Sequence, residues 1–138
     1  MTCRARFQYV TAMKFSLDQQ ATVHVVRGYG PGRLRIGERS FDRSLIVTAD
    51  TLIEGWRPDR IEDLQPADLE PLLQLQPEVL LIGSGARQGF PERATLSALY
   101  AARLGFEIMA TGAACRTYNV LVAEGRKVAA ALIVEPAA

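Results

Sequence analysis

The run Phe106-Glu107-Ile108-Met109-Ala110-Thr111-Gly112-Ala113-Ala114-Cys115-Arg116-Thr117-Tyr118-Asn119, continued through Gly125 to Val128-Ala129-Ala130-Ala131-Leu132, decides how this chain folds. Phe106 to Ala110 is an apolar strand. Thr111 and Gly112 then open a helix, in which the threonine hydroxyl is expected to cap a free amide of the first turn, and Gly125 supplies the left-handed residue that ends it. Between those caps Ala114, Tyr118, Leu121 and Val122 recur at helical spacing, while Arg116 and Glu124 point elsewhere. A second apolar run starts at Val128. The unit reads strand, helix, strand, and Cys115 falls in the first turns of its helix.

Working outward, Glu78-Val79-Leu80-Leu81-Ile82 is a continuous apolar run stopped by Gly83-Ser84-Gly85, the pattern of a strand buried on both faces of a parallel sheet. After a loop through Phe90, residues Pro91 to Gly105 form an amphipathic helix with Leu96, Leu99, Tyr100 and Leu104 on one side and Gly105 at its close. Short strands joined by single helices call for right-handed parallel crossovers. The second half is therefore β-α-β-α-β. The first half is mainly β: Thr22 to Tyr29 and Arg33 to Ile36 flank Gly30-Pro31-Gly32 as a hairpin, and Leu45-Ile46-Val47 and Thr51-Leu52-Ile53 flank a turn at Asp50. Pro66 to Leu75 reads as a short helix with Leu69, Leu72 and Leu73 on one face. The fold class is α/β, a single compact domain over residues 13–138 preceded by a loosely held extension over residues 1–12, with Met13 as an alternative start.

Composition narrows the function classes. With 138 residues, 49% of them hydrophobic, the chain suffices for one core. Its formal net charge of +1 provides no general attraction to nucleic acid or to an acidic membrane. Cys3 and Cys115 lie far apart and His24 is the lone histidine, so neither a disulfide framework nor a zinc site is expected, and a reducing, cytoplasmic setting fits. No apolar run approaches the roughly 20 residues that span a bilayer, and no secretory h-region occurs near Arg4 and Arg6.

If the strands ending at Ile82 and Ala110 are parallel neighbours, Gly83, Ser84 and Gly85 emerge beside Thr111 and Gly112 at one carboxyl edge, where α/β folds bind ligands. Free amides there, with Arg87 and Arg116, would suit a carboxylate or phosphate. The motif lacks the further residues of a phosphate-binding loop or dinucleotide fingerprint, so a tight turn is the plainer reading. Cys115 near a helix N-terminus and beside Arg116 has the setting of an activated thiolate, against the alternative of a buried packing cysteine. Asn119, four residues on, shares its face. It either orients a ligand or bonds neighbouring backbone. Glu124 and Arg126 read as a helix-end polar network, and Trp56 as a packing anchor.

At these residues the sequence resembles the MTH-type domain family of unknown biochemical function, whose members include an adipogenesis-associated protein and a mitochondrial complex I assembly factor. The resemblance rests on Ser44-Leu45-Ile46-Val47, Trp56-Arg57-Pro58, Pro77 through Gly85, Glu107 with Met109, and above all Thr111 through Leu121 followed by Glu124-Gly125-Arg126. Ser84 stands where the family commonly has threonine, which keeps a hydroxyl; Ala110 stands where an acidic residue is common, which removes a charge. The resemblance implies a mixed sheet flanked by helices, and a role in assembly or regulation rather than a reaction. The expectation is a non-enzymatic domain that binds a protein partner through Gly83, Ser84, Gly85, Arg87, Thr111, Gly112, Cys115, Arg116 and Asn119, with no cofactor and no metal. The alternative is a small-anion or thiol-dependent site in the same crevice.

Overall fold

The computed structural model describes residues 23–136. The expected N-terminal extension, the choice between Met1 and Met13, and Cys3 lie outside those residues. Among the described residues eight strands and three helices follow in order: β1 (Val26–Gly30), β2 (Arg33–Ile36), β3 (Arg39–Phe41), β4 (Leu45–Val47), β5 (Leu52–Glu54), α1 (Glu70–Leu75), β6 (Val79–Gly83), α2 (Arg93–Ala101), β7 (Phe106–Met109), α3 (Thr111–Ala123) and β8 (Val128–Leu132). Single 3-10 turns at Ile61–Asp63 and Pro66–Leu69 precede α1. The fold is the α/β class read from the sequence.

Five strands form a mixed sheet in the order β5-β4-β8-β6-β7. β6 runs parallel to both β7 and β8, and β4 runs antiparallel to β5 and β8. β8 is thus the centre of the sheet, and it is buried along its whole length. Its Ala129-Ala130-Ala131 core lets layers approach closely on both faces. On one face Leu45, Val47, Leu81, Ala130 and Leu132 pack against Ala114, Cys115 and Tyr118 of α3 and against Leu34 and Ile36 of the hairpin. On the other, Ile46, Leu80, Ile82 and Ala131 meet Trp56, Leu69, Leu72 of α1 and Leu99 of α2. The chain leaves β6 through α2 on one face to reach β7, then returns through α3 on the opposite face to β8 on the far side of β6. The reversal creates a switch point at the carboxyl ends of β6 and β7.

Several local expectations change. The hairpin begins at Val26 rather than Thr22, so His24 precedes the strand, and a third strand, β3, extends it into a three-stranded antiparallel sheet. Arg39–Phe41 is too short for its alternation to stand out. α2 spans Arg93–Ala101, shorter than Pro91 to Gly105, because Arg103 and not Gly105 takes the left-handed conformation, at φ 58°. Tyr100 lies on the exposed side, its ring edge-on to Phe106 at 5.2 Å between centroids, instead of joining Leu99 inside. Leu73 is likewise exposed. Gly125 ends α3 in the left-handed region, at φ 78°, as its position predicts. Arg126 pairs with Glu78, at 3.2 Å, and not with Glu124.

Trp56 is an anchor, buried with its indole Nε1 donating to the Asp68 carbonyl at 3.0 Å. Arg57 closes the same turn with two hydrogen bonds to the Asp68 carboxylate, at 2.9 and 2.6 Å. Ser44 ties two segments together: its hydroxyl donates to the Pro58 carbonyl at 2.6 Å and accepts the Val134 amide at 3.0 Å.

Candidate functional site at the carboxyl edge of the sheet

The Gly83-Ser84-Gly85 turn and the start of α3 do meet at one sheet edge, as parallel pairing of β6 and β7 requires. Their approach is close. A Cβ on Gly83 would lie 2.8 Å from Thr111 Oγ1 and 2.9 Å from Thr111 Cα, so only glycine permits the turn to pass the helix at this distance. Gly85 is left-handed, at φ 106°.

The polar groups of this edge are engaged with one another. The Ser84 amide donates to the Met109 carbonyl at 2.8 Å, and the Ser84 hydroxyl donates to the Arg87 carbonyl at 2.7 Å while accepting the Gly89 amide at 3.1 Å. Thr111, fully buried, accepts the Gly85 amide at 2.8 Å through the same Oγ1 that donates to the Ile133 carbonyl at 2.7 Å. Its own amide donates to the Gly85 carbonyl at 2.8 Å. Thr111 therefore does not cap α3. It is the first residue of that helix, Ala110 holds the cap position without a side-chain bond, and the hydroxyl joins three segments instead.

Sequence reasoning missed Glu135. The residue follows β8, and because β8 is parallel to β6 it emerges at the same edge. Its Oε1 accepts the Ala86 amide at 3.1 Å, and its carboxyl group lies where a Cβ on Gly85 would stand, 2.7–3.0 Å away. The Ala86 amide thus meets the chain's own carboxylate. The readable signal was the parallel placement of Val128–Leu132, which sends the next exposed residue to the switch point.

Beyond this buried knot, the predicted residues separate. Gly112, Cys115, Arg116 and Asn119 line a shallow cavity of about 240 Å³ together with Arg27 and Tyr29 of β1. Arg87 is exposed and does not line it. Tyr29 packs over Gly112, where a Cβ would come within 3.3 Å of its ring. Burial, with Glu135 and Cys115 nearby, raises the Tyr29 phenol above its ordinary range. Cys115 is buried, and that burial pushes its thiol up to about 12, outweighing the opposing pull of Arg116. The thiol is therefore held protonated, the opposite of helix-N-terminal activation. Asn119 accepts the Val26 amide at 2.9 Å and donates to the Val26 carbonyl at 2.8 Å. It works as a mock strand neighbour that pins β1 to α3. Tyr118 completes the attachment by donating its hydroxyl to the His24 carbonyl at 2.7 Å.

Among the described residues no group of His, Cys, Asp and Glu is arranged to hold a metal ion, and no helix is long and apolar enough to cross a membrane.

A mixed sheet whose switch point is closed by hydroxyl and backbone bonds, with one helix stapled to a lateral hairpin, makes this an α/β domain. The chain belongs to the family described as "Protein of unknown function (DUF498/DUF598)", whose model matches residues 26–133. It is 32% identical over 108 residues to the "13 kDa major membrane protein" of Francisella tularensis subsp. holarctica, covering 76% of this chain and 86% of that one. It is 30% identical over 129 residues to "NADH dehydrogenase [ubiquinone] 1 alpha subcomplex assembly factor 3" of Danio rerio, covering 92% and 74% of the two chains. The solution structure of a Mth938-like domain from Bordetella pertussis superposes with a TM-score of 0.72 at 25% identity, over 100% of this chain and 95% of that one. The biochemical activity of the family is unknown.

Proposed function

We propose that this chain is a non-enzymatic, partner-binding domain of the assembly-factor kind, and that a protein partner lands on the carboxyl edge of the sheet beside the start of α3. One observation carries the reading: the groups that would do chemistry in the crevice are engaged in holding the fold. Ser84, Thr111 and Asn119 have their hydrogen-bonding capacity directed at backbone, and the Cys115 thiol is protonated by burial. What faces outward is a recognition surface, with Arg87 and Arg116 exposed and Phe90 60% exposed. Gly83, Ser84, Gly85 and Thr111 then position that surface without touching the partner. The relative named as a complex I assembly factor supports the same direction.

The small-anion and thiol alternatives gain no support from the geometry, because the loop amides of Ser84, Gly85 and Ala86 already have acceptors within the chain. The test is affinity capture from an extract at native abundance. The wild-type chain is expected to retain a partner at near-stoichiometric yield, and Arg87→Glu with Arg116→Glu to lose it while keeping the same circular dichroism. Recovery of no protein above background contradicts the reading.

A further inference from the structure

The outer face of the β1–β3 sheet has a pattern that the carboxyl edge does not use. β1 and β2 are antiparallel with Gly28 opposite Arg35 and Gly30 opposite Arg33, and Arg35 is in turn opposite Ser40 of β3. Residues paired across strands point to the same side. Leu34 and Ile36 point into the core, so Gly28, Gly30, Arg33, Arg35 and Ser40 share the outward face. With Arg27 and Tyr29 they line a groove of about 420 Å³ to which, among the described residues, no carboxylate contributes.

The glycines make the floor. A Cβ at Gly28 or Gly30 would meet none of the described residues within 4 Å, so the missing side chains leave backbone open to an incoming chain. The arginines make the wall. Among the described residues Arg27 and Arg33 have no ion pair, and Arg35 has one loose ion pair, at 3.8 Å, with the almost fully exposed Glu38 and donates its Nε to the Gly37 carbonyl at 3.2 Å. Arg27 and Tyr29 also line the cavity at the start of α3, beside Arg116. A positive groove whose floor no described residue covers attracts an anionic occupant by charge complementarity.

We propose that this groove binds an extended acidic segment of a protein partner. The proposal rests on the partner-binding reading above and names the chemistry of what is bound. In an extended chain, side chains on one side repeat every two residues, about 6.6–6.8 Å, which is the repeat of Arg33 and Arg35 along β2. Carboxylates at alternate positions therefore match both guanidinium groups at once, while the partner backbone lies over Gly28 and Gly30. The chain's own first residues do not fit the role, since residues 1–22 carry Arg4, Arg6 and Lys14 against the single acid Asp18.

The test is fluorescence anisotropy of a labelled hexaglutamate peptide on the full chain, with hexaglutamine and an oligothymidylate of equal length as controls. Hexaglutamate should bind, weaken as salt rises, and outbind both controls. Arg33→Glu with Arg35→Glu should weaken it by about tenfold or more. Gly28→Val leaves the charge unchanged and fits the fold, since Gly28 is not left-handed and a Cβ there is in open space; it should weaken binding by filling the floor, and it carries the test if the double reversal fails to fold. Affinity unchanged in Gly28→Val, affinity unchanged in the folded double variant, or tighter oligothymidylate binding overturns the proposal. Extract capture separates the two readings. A partner held equally by wild type and the double variant overturns the groove and leaves partner binding standing. Hexaglutamate binding with no partner recovered supports the groove chemistry and overturns the partner reading alone.

Discussion

The Thr111 hydroxyl donates to the Ile133 carbonyl at 2.7 Å, joining the first residue of the last described helix to the residue just past the central strand. The same oxygen accepts the Gly85 amide at 2.8 Å, so one methyl-bearing alcohol closes the switch point from inside. A cap on a helix end would have been replaceable by many residues. A buried bridge between three segments is not, because its loss strands a donor and an acceptor away from water.

Thr111→Ala is therefore expected to destabilise the domain by about 2–4 kcal/mol, since each buried group left without a partner costs about 1–3 kcal/mol. Thr111→Ser, which keeps the hydroxyl, should lose about 1 kcal/mol or less. Urea unfolding of both variants checks the order. Equal stability of Thr111→Ala and wild type would show that the bridge is dispensable.

Asn119 supplies both a donor and an acceptor to Val26, which a carboxylate cannot do. Asn119→Ala should cost about 1–3 kcal/mol by leaving the Val26 amide and carbonyl unmatched. Asn119→Asp should be worse at neutral pH, because its charge faces the Val26 carbonyl, and should recover toward wild type as acid protonates it. Thermal unfolding across pH reads both effects. A ligand-orienting asparagine would leave the unfolding temperature of the apo chain unchanged.

Asp68 provides the acid-side pH dependence. The Arg57 hydrogen bond holds its carboxyl below the usual carboxylate range, assisted by the Gln65 amide. A depressed folded-state pKa gives stability that is present above the unfolded value of about 3.9 and lost as pH falls through the folded value. The stability difference between wild type and Asp68→Asn, measured in urea, should be largest near neutrality and shrink below about pH 4. A difference independent of pH would place the role of Asp68 in something other than its charge.

Much of this architecture was legible because it is local. The continuous apolar runs at Val79–Gly83 and Val128–Leu132, punctuated by Gly83 and Gly125, announce buried strands around a helix without reference to anything distant. That Asn119 bonds either a ligand or backbone was legible, but its partner was not, nor was the role of Glu135. Asn119 is defined by a strand 93 positions away, and Glu135 by the insertion of β8 between β4 and β6. Thr111 misled for a related reason: before a helix, its hydroxyl has the pattern of a cap, and only the closeness of Gly83 and Ile133 redirects it. Cys115 shows the competition between two opposing effects. Position at a helix start argues for a thiolate, and the packing of α3 against the sheet reverses the sign through burial.

Cys115 therefore offers the most direct test of whether the crevice motif is scaffold or reactive site. In a Cys3→Ser background, iodoacetamide labelling of the folded chain is followed from neutral to alkaline pH, with circular dichroism reporting the fold. With its thiol pushed up to about 12 and buried, Cys115 should label only as the domain opens, at a rate that rises with denaturant. Rapid labelling of the folded chain below the ordinary thiol pKa of about 8.5 would mean an exposed thiolate, and would contradict a crevice whose polar groups serve the fold.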